Sequence, residues 1–190
     1  MGMFSSELGY NKYMAITINS YSEANQNNFT QLGSGAYTDA GNSFTGDGNK
    51  ADSCQFFLRK TGSPTGNATA RIFAITGTPG TNAAPTGSVL ATSDTFDVST
   101  LTTSFVLITF TFSGAARITL TNATGYFVVV TYTGGGGANL IEPGSGNSSM
   151  PVDQNSARNL GGWITATAIR WCYYMYSESP VSPGKFFQLF

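Results

Sequence analysis

The apolar runs in this chain are short, alternate in character, and stop at glycine, proline, asparagine or serine. No stretch keeps the 3.6-residue apolar period that a helix needs to bury one face. Val, Ile, Thr, Phe and Tyr fill the runs, and the breaks between them have turn chemistry. The pattern predicts strands over 36–45, 53–60, 68–75, 105–112, 125–132, 163–166 and 168–176. Shorter ones are expected over 88–92, 94–98, 117–120 and 138–141, with a first strand or ordered arm over 13–18. Loops are expected over 20–34, 77–87 and 144–159. Turns at the 8–12-residue spacing of a sandwich point to an all-β, antiparallel two-sheet β-sandwich of jelly-roll type.

Alternation assigns faces. Within 53–60, Cys54, Phe56 and Leu58 share one face, with Gln55, Phe57 and Arg59 on the other. Within 168–176, Trp171, Tyr173 and Met175 oppose Cys172, Tyr174 and Tyr176. One face of each strand must be core and the other meets solvent or a partner. Trp163, following Gly161-Gly162, reads as the exposed aromatic best placed for a ligand or partner, with Tyr174 and Tyr176 beside it. No composition shift marks a second domain. The expected organisation is an N-terminal arm or first strand over 1–30, the sandwich over 31–177, and a tail over 178–190. Phe186, Phe187, Leu189 and Phe190 make that tail apolar, so it should dock on its own domain or on a neighbouring subunit.

Only 10% of the 190 residues are charged, against about 25% in ordinary soluble proteins. Net charge is −1. No basic stripe is available to neutralise phosphates, so nucleic-acid binding is not expected. No segment approaches the 18 apolar residues of a membrane span. The N-terminus lacks the basic region and apolar run of a secretory signal. The surface is neutral and rich in hydroxyls, as in extracellular and virion β proteins.

The sequence contains no histidine. That removes the commonest general base and the commonest zinc ligand, and rules out a Ser-His-Asp or Cys-His arrangement. Carboxylate pairs of the glycosidase kind could in principle be drawn from Asp94 with Asp97, or Glu142 with Asp153. Strand-end capping and solvated loop positions account for them better. Asp47 and Asp52, around Gly48-Asn49-Lys50, are the candidates for a structural Ca2+, with Lys50 opposing it as a cation in the same loop. Cys54 and Cys172 form neither a CxxC pair nor a metal cluster. They read as two buried small apolar side chains, or as a disulfide between their strands.

Three stretches carry a family resemblance. Ser43-Phe44-Thr45-Gly46 leads to Phe56-Phe57-Leu58-Arg59-Lys60-Thr61-Gly62-Ser63-Pro64-Thr65-Gly66-Asn67. Pro85-Thr86-Gly87-Ser88 precedes Leu90-Ala91-Thr92-Ser93-Asp94, and Leu107-Ile108-Thr109-Phe110-Thr111-Phe112-Ser113-Gly114 follows. Together they resemble jelly-roll modules common in phage and metagenomic structural proteins, similar to the choice-of-anchor domains of bacterial surface proteins. The resemblance covers residues 19–176 and implies a β-sandwich in a virion or extracellular setting, with no catalytic residues to carry over. The expectation is a non-enzymatic virion structural protein, a capsid decoration or other surface component of a phage particle, made in the host cytoplasm. Its expected partners are other virion proteins or further copies of itself. The alternative is a carbohydrate-binding or adhesive module on a fibre or cell surface.

Overall fold

β-Branched and aromatic side chains set the strands, and the longest uninterrupted run of them lies inside a sheet. A computed structural model of the protein describes residues 15–148 and 151–178. In chain order the strands begin with β1 (Ala15–Tyr21), β2 (Asn28–Phe29), β3 (Asp39–Thr45), β4 (Ala51–Thr61) and β5 (Asn67–Thr76). β6 (Ala84–Thr92), β7 (Phe96–Asp97), β8 (Val106–Thr111), β9 (Gly125–Thr131) and β10 (Leu140–Gly146) follow. β11 (Ser156–Asn159), β12 (Trp163–Ala166), β13 (Arg170–Trp171) and β14 (Tyr173–Glu178) complete them. Helix among the described residues is confined to single 3-10 turns at Glu23–Asn25, Val98–Thr100 and Gly114–Ala116.

The strands form two antiparallel sheets. The first has the order β1-β14-β4-β8, and the second β12-β11-β3-β9-β5-β6. The chain crosses from one sheet to the other between β2 and β3, β3 and β4, and β4 and β5, on either side of β8, on either side of β10, and between β12 and β13. First and last strands end side by side. Facing sheets of order β1-β14-β4-β8 and β3-β9-β5-β6 have the connectivity of a jelly roll. β4 is eleven residues long, and it has two neighbours along one edge. β14 pairs with Ala51 to Phe56, and β10 takes over from Leu58 to Thr61. β2 and β13 add to the far end of β10.

The core lies between the sheets, and alternation delivers it. Cys54, Phe56 and Leu58 of β4 are fully buried, as are Tyr173 and Met175 of β14. They meet Phe110 of β8 and, from the second sheet, Ile72, Val128 and Val130. Phe56 stands edge-on to Phe110 and stacks on Tyr173, at ring distances of 6.3 and 6.2 Å. β9 is buried on both faces: Phe127 and Val129 point out of the sandwich into a smaller cluster with Phe73, Ala83 and Ala157. A polar tie joins the two sheets. The buried Asn42 donates to the main-chain oxygen of Trp171 at 2.7 Å and accepts from its N–H at 3.1 Å.

Several sequence expectations are corrected. The stretch expected as loop over 144–159 contains the end of β10 and all of β11. β10 is buried along its whole length despite Pro143, Gly144 and Gly146. The reason is crowding from the segment laid across it, because a Cβ on Gly146 would lie 2.0 Å from the Asn25 carbonyl oxygen. The oxygens of Ser145, Pro143 and Ile141 accept from Asn27, Thr30 and Leu32. Residues 20–34 are therefore the cover of β10, and residues 15–30 supply β1 and β2. β6 begins at Ala84, inside the expected 77–87 loop. The expected strand over 117–120 is reduced to a bridge between Lys50 and Thr119, and only Phe96–Asp97 of 94–98 is strand. The expected strand over 168–176 is divided at Cys172, whose N–H donates to Gly144 and whose oxygen accepts from Phe57.

Burial also sets the response to alkali. It pushes the phenols of Tyr21, Tyr132 and Tyr173 above their ordinary value, Tyr173 furthest. The folded chain thus holds these protons more tightly than the unfolded chain. Their contribution to stability is complete below about pH 10 and is lost as pH rises past it. A phenolate-absorbance titration should show these tyrosines ionising late, together with unfolding, while urea resistance falls. Independent ionisation of every tyrosine near pH 10, with the fold intact, would contradict this packing.

Candidate functional site

The outer face of the first sheet is built by the alternation that makes the core. With Cys54, Phe56 and Leu58 inward, Gln55, Phe57 and Arg59 point outward and are half-buried. With Tyr173 and Met175 inward, Tyr174 and Tyr176 are half-buried on the outer side. Their rings stack at 6.3 Å, with an interplanar angle of 17°. Tyr174 donates its hydroxyl to Glu23 at 2.6 Å, and Tyr176 donates to Gln55 at 3.0 Å. Gln55 in turn donates to Thr109 of β8 at 3.0 Å. The Tyr174 hydroxyl holds the Glu23 carboxyl below the usual carboxylate range.

Two residues along β4, the row continues. Phe57 stacks on Phe105 at 5.2 Å. The Arg59 guanidinium lies 4.6 Å from the ring centres of both Phe105 and Phe29. Arg59 also donates to Glu142 at 2.6 Å. Glu142 was expected as a solvated loop carboxylate, but it lies in β10, 2% exposed. Thr61 and Gln31 donate to its other oxygen at 2.9 and 3.1 Å. Two neutral donors and the guanidinium stabilise the buried charge. The result is a row of pinned aromatic rings across the sheet, bounded by the Glu23 carboxylate at one end and by the Arg59–Glu142 ion pair at the other.

Beside Phe29 the surface opens into a cleft of about 570 Å3, lined by Phe29, Gln31, Tyr37, Arg158 and Leu160 with the main chain around Gly35. Phe29 and Leu160 are 40% and 55% exposed there. The Arg158 guanidinium lies over the Tyr37 ring at 4.5 Å.

Of the residues singled out in the sequence, Tyr174 and Tyr176 stand together on this outer face. Trp163 stands apart, on the second sheet. It is half-buried rather than exposed, and packs edge-on against Phe73 at 5.5 Å. Phe186, Phe187, Leu189 and Phe190 lie outside the described residues. Asp47 accepts from Asn49 and Ser177, and Asp52 accepts from Ser53 and pairs with Arg117. Donors of the chain itself therefore occupy the oxygens offered for Ca2+. Among the described residues no group of three or more Cys, Asp or Glu side chains is placed to hold a metal ion. Asp94 accepts from Ser113, and Asp97 caps the turn at Ser99.

Cys54 and Cys172 are both free and buried. Burial pushes the Cys172 thiol up to about 12 and Cys54 higher still, so neither offers a thiolate at neutral pH. Sequence reasoning missed Phe29, Phe105 and the cleft. Arg59, a cation on the same outward face of its strand as Phe57, was the one signal pointing to the two rings. No family model and no curated protein sequence matches the chain.

Proposed function

We propose that this is a non-enzymatic structural protein of a phage particle, a capsid decoration or other surface component, which binds its neighbours through the outer face of the first sheet. The observation that carries the reading is the row Tyr174, Tyr176, Phe57, Phe105 and Arg59. Aromatic residues and arginine are enriched at the centres of protein interfaces, where they supply area and a few strong contacts. Here the rings are already fixed by stacking and by bonds to Glu23 and Gln55, so contact would freeze little additional side-chain freedom. The ionisable groups of this region are committed to structural bonds, with Glu142 bound to Arg59 and Glu23 bound to Tyr174. The two-sheet sandwich, the charge-poor surface and the resemblance to phage jelly-roll modules support the same reading.

The test is quantitative mass spectrometry of gradient-purified particles. The chain should be present at a fixed ratio to the major capsid protein. A variant carrying Tyr174→Ser and Tyr176→Ser should fold normally yet fall at least about tenfold in occupancy. Absence of the wild-type chain from particles would overturn the proposal, as would undiminished incorporation of the folded variant.

A further inference from the structure

We infer that the cleft between Phe29 and Leu160 is a binding site for an acidic sugar, a pyranose bearing a carboxylate. The cleft adjoins the Arg59 end of the aromatic row at Phe29, and its chemistry is legible group by group. Arg158 provides the charge. Its backbone is fixed between neighbours on both sides, paired with Ala40 of β3 and Ile164 of β12. Its guanidinium lies on the Tyr37 ring, and Tyr37 is held by the turn in which Gly33 donates to its carbonyl. Among the described residues no carboxylate pairs with Arg158, whereas Arg59 and Arg117 are both paired. The two buried carboxylates of this region are saturated. Glu142 accepts from Arg59, Thr61 and Gln31, and Asp39 accepts from Thr38, Thr131 and Asn159. The cleft therefore holds an uncommitted planar cation, stacked and pre-oriented, which suits a bidentate carboxylate.

The remaining walls specify what the carboxylate is attached to. Phe29 and Leu160 offer apolar surface on either side of the opening. Gln31 donates through Nε2 to Glu142, which fixes its amide and leaves Oε1 as an acceptor for a hydroxyl. An anion, an apolar ring face and hydroxyl donors occur together in a uronate-type sugar. A volume of about 570 Å3 lies within the range of small-ligand sites. A peptide ending in an apolar residue shares the carboxylate but brings no hydroxyl for Gln31.

The experiment is titration calorimetry of the full chain with oligosaccharides ending in glucuronate, galacturonate or N-acetylneuraminate. Each is paired with its counterpart reduced to the alcohol, and a peptide ending in a free-carboxylate leucine forms a separate arm. At least one acidic sugar should bind about tenfold or more tightly than its neutral counterpart. Arg158→Gln should lose that preference, and Arg158→Lys should retain part of it, because an ammonium cannot make the two-point contact. Leu160→Asp, at an exposed position, should abolish binding without altering the thermal midpoint, which guards against misfolding of the arginine variants. The inference is overturned if no acidic sugar is preferred, if Arg158→Gln or Leu160→Asp binds as the wild type does, or if only the peptide binds.

Discussion

Replacing Gly41 with alanine is expected to remove a large share of the protein's stability. Gly41 lies in the middle of β3, opposite Val129 of β9, and its backbone needs no left-handed conformation. The constraint is the space on its free side. A Cβ there would lie 1.9 Å from the Val128 carbonyl oxygen and 2.5 Å from the Val129 Cα. Both obstacles are main chain, so no rotamer change relieves the clash. Relief requires β3 and β9 to separate along a ladder running from Asp39 to Thr45, and that ladder is the centre of the second sheet. Overpacking usually costs about 1–3 kcal/mol. Here the expected loss is about 4 kcal/mol or more, out of a total stability of about 5–15 kcal/mol. Gly162→Ala is the control, because a Cβ there meets nothing within 4 Å. It should change stability by no more than about 0.5 kcal/mol. Urea denaturation of both variants measures the difference, and a Gly41→Ala protein with wild-type resistance would refute the stated approach of the two strands.

The second large effect is expected at Arg170. This guanidinium is 2% exposed and is held by carbonyl oxygens, with no carboxylate partner among the described residues. Nη1 donates to Ile169, Thr167 and Ala166 at 2.8, 3.1 and 3.4 Å. Nη2 donates to Gln154 and to Pro151. One side chain thus ties the segment before β11 to the turn after β12. Replacing a buried ion pair by apolar groups can be harmless when both partners go. At Arg170 the partners are main chain and must remain. Arg170→Met would leave the buried Gln154 carbonyl and several part-buried ones unpaired, each costing up to about 1–3 kcal/mol unless water reaches it. The expected loss is about 3–5 kcal/mol, with hydrogen exchange accelerated first over 151–158 and 163–170. Arg170→Lys should fall between, since an ammonium has three donors and cannot span both segments. A change below about 1 kcal/mol for Arg170→Met would contradict the description of this tie.

The sandwich was legible where alternation was strong. The two faces of β4, and the separation of Trp171, Tyr173 and Met175 from Tyr174 and Tyr176, followed from period-two patterning, because one face of each strand had to be buried. Cys172, placed by the same alternation with Tyr174 and Tyr176, is instead fully buried where the strand breaks. β10 was illegible for a definite reason. Its proline and glycines are turn residues by composition, yet they are required in a strand crowded by the 20–34 segment. β11 has a single apolar core residue, Ala157, and no alternation to detect. Trp163 misled because Gly161-Gly162 suggested an exposed turn, whereas the ring packs against Phe73. The cleft could not be read at all, since Phe29, Tyr37 and Arg158 come from separate stretches and are individually ordinary.

The central proposal is that the outer face of the first sheet is an assembly surface. A side-chain-resolution reconstruction of the phage particle to which the proposed function assigns the chain tests it most directly. The expected result is that Tyr174, Tyr176 and Phe57 lie against a neighbouring protein in every copy. A particle in which that face is open to solvent in all copies would contradict it.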